Sequence, residues 1–259
     1  MSGAPLILSV ETATMGGSVC ISRGGTLLAY SVGEPSVSHS HTLLSDINRA
    51  LARSRTKLGE IELFAVAIGP GSFTGLRIGI ASIKALAATF GSPCAGVPTL
   101  QAVALAAGPS EATVALLPAG RGELFAQMFS VSAQAGVTAI DAVAHISPAK
   151  VLEKYGTLAN ICWSGEGAHL YRDLIHECAE REGHPLIDME GVANPSAGQG
   201  WRIAPKRPNL AQHVASLALT RFQENKLDTA HTLRAIYVRP SDAELNEECP
   251  LPSQKSAPS

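Results

Sequence analysis

The chain is poor in the features that mark most enzymes and nucleic-acid binders. It has no basic excess: 20 Lys and Arg stand against 22 Asp and Glu, a formal charge of −2. Phosphate neutralisation supplies most of the affinity of free-standing nucleic-acid binders, so any nucleic-acid role needs a basic surface supplied by another subunit. The five cysteines, Cys20, Cys94, Cys162, Cys178 and Cys249, include no Cys-x-x-Cys pair. That excludes a zinc ribbon and a thioredoxin-type site, and four scattered thiols in apolar runs read as core residues of a reducing compartment. No Gly-x-Ser-x-Gly elbow occurs, which removes the usual serine-hydrolase nucleophile. Charged residues are only 16% and hydrophobic residues 46% of 259, the balance of a globular chain rather than a disordered one. The start, Met-Ser-Gly-Ala-Pro before Leu6, lacks a basic region and a long apolar run, so no signal peptide is expected. Ile78 to Phe90 contains Lys84 and is too short to span a bilayer. A cytoplasmic protein is expected.

What is present is an ordered series of short apolar runs. Leu6–Val10, Ser18–Ser22 and Thr26–Val32 read as strands with Gly-bearing turns between them. Leu43, Leu44, Ile47 and Leu51 recur at helical spacing, and Leu63–Ile68 is a continuous apolar run suited to a strand buried on both faces. A Gly-rich loop, a helix to Phe90, a short strand at Cys94–Val97 and a helix over Thr99–Ala107 follow. The second half repeats the programme: strands at Thr113–Leu117, Glu123–Val131 and Val137–His145, a helix from Pro148 to Tyr155, a strand at Asn160–Ser164 and a helix over Ala168–Glu182. Asn209–Glu224 is a further amphipathic helix, and Ala235–Val238 reads as a closing strand. Three strands followed by alternating helices and strands, twice, imply two related α/β lobes, each a mixed sheet flanked by helices. The boundaries expected are 1–108, 109–240 and an acidic Pro/Ser tail at 241–259. Asn194–Asn209, with Arg202, Lys206 and Arg207, reads as a long exposed loop.

Gly69-Pro70-Gly71-Ser72-Phe73-Thr74-Gly75-Leu76-Arg77-Ile78-Gly79 is the most informative stretch. Between a buried strand and a helix, its amides and the helix dipole suit an anion, with Gly69, Gly71, Ser72, Thr74, Gly75 and Arg77 as candidate residues. A Walker A loop needs Gly-Lys-Ser/Thr, whereas Leu76 follows Gly75; a dinucleotide fingerprint needs its third glycine one residue earlier. The other reading is a tight strand-to-helix turn capped by Ser72 or Thr74. Gly79 inside a helix costs about 1 kcal/mol relative to Ala. With Gly75 it makes a smooth patch for close approach, either by another subunit or by this chain's own backbone. His39-Ser40-His41 reads as a solvated helix start rather than a metal site, because residues two apart on a helix face different ways.

The same loop resembles the signature of the TsaB family, a subunit of the bacterial machinery that makes threonylcarbamoyladenosine in tRNA. Val10-Glu11-Thr12-Ala13-Thr14, His39-Ser40-x-x-Leu43-Leu44, Gly96-Val97 followed by Thr99-Leu100, and Ala235-Ile-Tyr-Val-Arg-Pro240 extend the resemblance. It implies an actin-like, hexokinase-like fold of two lobes. It also implies a non-catalytic relative of the catalytic subunit TsaD that pairs with TsaD and with the ATPase TsaE, meets tRNA only through that complex, and forms a homodimer when alone. On this resemblance the first two long helices make the partner surface, with His39, Leu43, Ile47, Gly75, Gly79 and Ile83 as its expected residues. No cofactor, metal or catalytic residue is expected. The metal histidines of the catalytic relatives fall near Thr99 and Val103, and the second-lobe acid of related ATPases falls in Leu117-Pro118-Ala119-Gly120-Arg121. The first-lobe acid is Glu11. An active kinase or ATPase of the same superfamily, or a metallopeptidase-like enzyme, is the alternative.

Overall fold

The computed structural model describes residues 3–34, 39–133, 136–190 and 200–238. The chain opens as an antiparallel meander, β1 (Leu6–Glu11), β2 (Ser18–Arg23) and β3 (Thr26–Val32). Then come α1 (His39–Ser54), β4 (Leu63–Gly69), α2 (Phe73–Phe90), β5 (Cys94–Pro98) and α3 (Thr99–Ala106). These strands form one sheet in the order β3-β2-β1-β4-β5. β1 pairs antiparallel with β2 and parallel with β4, and β4 pairs parallel with β5. All six residues of β1 are buried, and β4 is buried but for the half-exposed Ile68. That burial on both faces fits the unbroken apolar run of β4 and the mainly apolar β1, whose Ser9 and Glu11 are buried polar residues.

The second half lays down β6 (Ser110–Gly120), β7 (Glu123–Ser132), β8 (Gly136–Ala139), β9 (Ala144–Ile146), α4 (Pro148–Tyr155), β10 (Ile161–Ser164), α5 (Glu166–Leu170) and α6 (Arg172–Glu182). β11 (Leu186–Asp188), β12 (Trp201–Ile203) and α7 (Leu210–Gln223) follow. The second sheet runs β11-β12-β10-β6-β7-β8, with β9 also on β7. Its β6–β7 and β7–β8 pairs are antiparallel, and its β6–β10 and β10–β12 pairs are parallel. β8-β7-β6-β10-β12 therefore repeats β3-β2-β1-β4-β5 in order and direction. This is the duplicated, two-lobed mixed α/β architecture expected from element order.

Several expectations need correction. The lobe boundary at 109–240 fails because the chain returns to the first sheet. Ala211 of α7 receives a bond from Ser9 Oγ to its carbonyl (2.7 Å) and donates its amide to Ser18 Oγ (2.9 Å). Beyond α7, Asp228 exchanges two backbone bonds with Cys94 of β5 (2.7 and 3.0 Å), and Ile236 donates its amide to the Ile68 carbonyl (2.7 Å). Residues 210–236 thus belong to the first lobe. That single Ile236 bond is short of a strand, and Ala235–Val238 is not one. The supposed exposed loop at 194–209 contains β12, whose Trp201 and Ile203 are buried. The helix expected over 168–182 is two helices broken at Tyr171 (φ −112°). The strand expected over 137–145 is split into β8 and β9. The 241–259 tail lies outside the described residues.

Two cores result. The first joins the first sheet to α1, α2, α3 and α7 mainly through small and aliphatic side chains, with Phe64 among them, and reaches Phe125 and Phe129 of β7. The second holds both tryptophans of the chain, Trp163 and Trp201, in an edge-to-face pair with ring centroids 5.2 Å apart. α3, apolar on nearly every side and mostly buried, packs against β4 and α7 on one side and β6 and β7 on the other. It is the beam between the lobes. Cys20, Cys94, Cys162 and Cys178 are buried free thiols, and burial pushes Cys20 up to about 12. α2 is the one described helix long and apolar enough to cross a membrane by length and composition, but Leu76, Ile80, Ile83 and Ala87 bury one face of it in the first core.

Candidate functional site

The Gly-rich loop connects β4 to α2 and lies against the segment that leaves the end of β1. Its hydrogen bonds are largely internal. Gly69 donates its amide to Thr99 Oγ1 (3.1 Å), and Ser72 donates its amide to the Ala13 carbonyl (2.8 Å). Ser72 Oγ caps α2 by accepting from the Gly75 amide (3.2 Å), and the Leu76 amide bonds the Ser72 carbonyl (2.8 Å). Thr12 Oγ1 donates to the Gly75 carbonyl (2.8 Å). The capped-turn reading accounts for this geometry. Gly71 packs on Ala13, Thr74 is exposed, and Arg77 lies over the Phe73 ring, 3.8 Å from its centroid. Gly69, Ser72, Gly75 and Leu76 have their amides committed within the chain, and Arg77 is engaged by an aromatic face. The loop is a splice between β4, α2 and β1, not an open anion cradle.

Gly75 and Gly79 turn the same way. A Cβ on Gly75 would overlap the Thr12 carbonyl oxygen, and one on Gly79 would overlap Thr12 Oγ1 and touch Val66. The close approach these glycines permit is that of α2 onto β1 and β4 of the same chain. The expected partner face is corrected accordingly. Leu43 (5% exposed), Ile47 (3%) and Ile83 (0%) are core residues of the first lobe, and Gly75 and Gly79 are buried against Thr12. Burying each large aliphatic side chain stabilises the fold by about 1.5–3 kcal/mol, so none is free for a partner. The side chain of His39 lies outside the described residues. The outward faces of the same two helices carry Leu44, Ala81, Ala85 and Ala88 instead.

Glu11, at the end of β1, is fully buried. Its carboxylate accepts the amides of Ala13 (2.5 Å) and Thr14 (2.8 Å) and the Thr14 hydroxyl (2.6 Å). Burial raises its pKa, those bonds pull it down, and the charge of Glu166 raises it further. Glu166 comes from the other lobe, at the start of α5, and accepts the Met15 amide (3.3 Å). Its own pKa is raised, chiefly by burial. In the sequence, Gly165-Glu166-Gly167 after a strand reads only as a helix-entry turn with no assigned role; the turn is present, with Gly165 between β10 and α5. Gly165 has φ +94°, and a Cβ there would strike the Leu116 carbonyl oxygen, so only glycine lets α5 start where Glu166 reaches the first lobe.

The topological counterpart of Glu11 in the second lobe is the end of β6. There Pro118 and Ala119 lead into a turn through Gly120 and Arg121 (φ +79° and +52°) and back along β7. Neither Pro118 nor Ala119 can act as an acid. Thr99 is fully buried, its hydroxyl held by Gly69, and Val103 packs under Gly165. Among the described residues no group of three or more His, Cys, Asp or Glu side chains is placed to hold a metal.

The comparisons with known proteins agree with this geometry. The family model for tRNA N6-adenosine threonylcarbamoyltransferase (TsaD) matches residues 34–231. The solved structure of YeaZ from Pseudomonas aeruginosa superposes with a TM-score of 0.69 at 22% identity, covering 90% of this chain and all of that one. Component A of the (R)-2-hydroxyglutaryl-CoA dehydratase of Acidaminococcus fermentans shares the fold at a TM-score of 0.51 and 9% identity, over 84% of this chain and 98% of that one. Together they define the class, a two-lobed protein of the actin-like and hexokinase-like fold within the TsaD-type group. The tRNA threonylcarbamoyladenosine biosynthesis protein TsaB of Escherichia coli is 35% identical over 90% of this chain and 94% of its own length. The chain belongs to the TsaB family.

Proposed function

We propose that the protein takes part in making threonylcarbamoyladenosine in tRNA as a cytoplasmic, non-catalytic subunit that holds a TsaD-like catalytic partner. A TsaE-like ATPase joins the assembly, tRNA is met only through it, and the isolated chain pairs with itself. The observation that carries the reading is the pair of equivalent strand ends. β1 ends in a carboxylate whose oxygens are occupied by three hydrogen bonds, and β6 ends in Pro118-Ala119, with no acid at all. The net charge of −2 fits a subunit that leaves phosphate binding to its partner. The exposed apolar and small side chains Leu44, Ala81, Ala85 and Ala88 on α1 and α2 supply a surface that fits a helical partner face.

The test is to mix the full chain with its cognate TsaD and measure the mass of the product. The wild type is expected to form a stable complex. Ala81→Arg combined with Ala85→Arg is expected to abolish it while leaving the circular dichroism unchanged, because both sites face solvent. Persistence of the complex in that variant would remove the assigned surface. Magnesium-dependent ATP turnover by the chain alone would replace the reading with the kinase alternative.

A further inference from the structure

The segment around β12 that sequence reading took for a plain surface loop closes a cavity of about 750 Å³. Its walls come from both lobes: Tyr30 of β3, the end of α3, the first turn of α7, and Arg202 and Arg207 on either side of the chain's re-entry from the second sheet. The volume is within the range of small-molecule sites, about 300–1,000 Å³.

The charge inside is one-sided. No Asp or Glu is among the described residues lining it. Arg202 donates Nη2 to the Pro109 carbonyl (2.9 Å), which fixes the guanidinium on the wall, and among the described residues neither it nor Arg207 has a carboxylate partner. α7 begins here with no acidic residue in its first turn and no side-chain cap from Asn209, so the positive end of its dipole also faces this region. His213 is held down to about 4, first by burial and then by the nearby Arg207 charge. Two guanidiniums, that of Arg202 held on the Pro109 carbonyl and that of the exposed Arg207, suit the planar, bidentate recognition of a phosphoryl group, and the half-exposed Tyr30 ring and Leu105 supply an apolar side.

We infer that this cavity binds a small phosphomonoester, a sugar phosphate or nucleoside monophosphate, through Arg202 and Arg207. The ligand bridges the lobes beside α3, and its occupancy is separate from the α1 and α2 face assigned to the partner.

Calorimetric titration of the full chain with AMP, ribose 5-phosphate and adenosine tests this. AMP is expected to bind and adenosine to bind at least tenfold more weakly. Binding of ribose 5-phosphate as tight as AMP assigns the site to sugar phosphates, and binding at least tenfold weaker assigns it to nucleotides. Arg207→Glu, at an exposed position, is expected to weaken AMP at least tenfold with circular dichroism unchanged. As an independent readout, saturating AMP is expected to raise the pKa of His213, followed by its ring proton resonances, because a phosphate on Arg207 would offset the charge that helps hold that pKa down. No AMP binding at millimolar concentration, equal affinity for adenosine, or full affinity in Arg207→Glu each overturns the inference.

Discussion

The two lobes share a strand order and direction but are stabilised in different ways. In the first, α2 is drawn onto β1 by removing side chains. Gly75 and Gly79 leave no Cβ between the helix and Thr12, and the core around them is aliphatic and small. In the second, space is filled: Trp163 and Trp201 interlock edge to face, Trp201 Nε1 donates to the Leu158 carbonyl (2.8 Å), and His184 stacks on Trp201. The same topology is thus compatible with glycine-mediated contact and with aromatic filling. The strand ends differ as well. The first lobe retains a buried carboxylate at Glu11, whereas the second has Pro118 and Ala119. What the lobes have kept in common is backbone architecture; what they have not kept is a matched pair of acids.

This contrast predicts how each lobe fails. The largest effect is expected from Trp201→Ala, which removes a buried ring and its hydrogen bond and should cost about 3–5 kcal/mol in urea unfolding followed by far-UV circular dichroism. Gly75→Ala comes next. Its new methyl meets a backbone oxygen that cannot rotate away, so a loss of about 3 kcal/mol is expected, although alanine favours helices by about 1 kcal/mol. Gly79→Ala meets a hydroxyl instead, which can be removed. In a double-mutant cycle with Thr12→Ala the two changes should show a favourable coupling of about 1 kcal/mol, and additive values would mean that Thr12 is not what excludes a side chain at position 79.

The smallest effect belongs to the junction of the lobes. Glu166 has a folded pKa raised above its ordinary value of 4.5, so the folded state holds its proton more tightly than the unfolded one. Its contribution is fully favourable below pH 4.5 and is lost as pH rises through the folded pKa. Glu166→Gln, which does not titrate, should match the wild type at low pH and become more stable above pH 4.5. The gap should be on the order of a few tenths of a kcal/mol because solvent screens a half-exposed group. A constant difference across pH would show that Glu166 is not the titrating group.

Much of the architecture was legible because it rests on local pattern. The apolar runs at Leu6–Val10 and Leu63–Ile68, and the glycines between elements, are signals that a chain carries without its tertiary context. The misses have the opposite cause. Leu43, Ile47 and Ile83 were recognisable as the apolar positions of their helices, but periodicity does not say whether an apolar face meets a partner or the chain's own sheet. The glycines at 75 and 79 announce close approach without naming the neighbour, which is Thr12. β12 is only three residues long, too short for an alternating pattern to stand out beside Gly200 and Pro205. Glu166 acquires its environment from Met15, some 150 residues earlier. α7 joins the first sheet through its buried apolar face and through hydrogen bonds of Ala211 with Ser9 and Ser18, two residues that look unremarkable in a strand sequence. The Pro118-Ala119 substitution, by contrast, was readable in the sequence, and the structure locates it at the end of the strand that corresponds to β1.

The most direct test of the subunit account is reconstituted formation of threonylcarbamoyladenosine on tRNA by TsaD and the remaining components. This chain would be supplied as wild type, as Glu11→Gln, or as Ala81→Arg with Ala85→Arg. The account predicts near-normal product with Glu11→Gln, once circular dichroism shows that it is folded, and almost none with the paired arginine variant. Loss of product with folded Glu11→Gln that still binds TsaD would mean that this chain contributes an acid to the chemistry, and would contradict it.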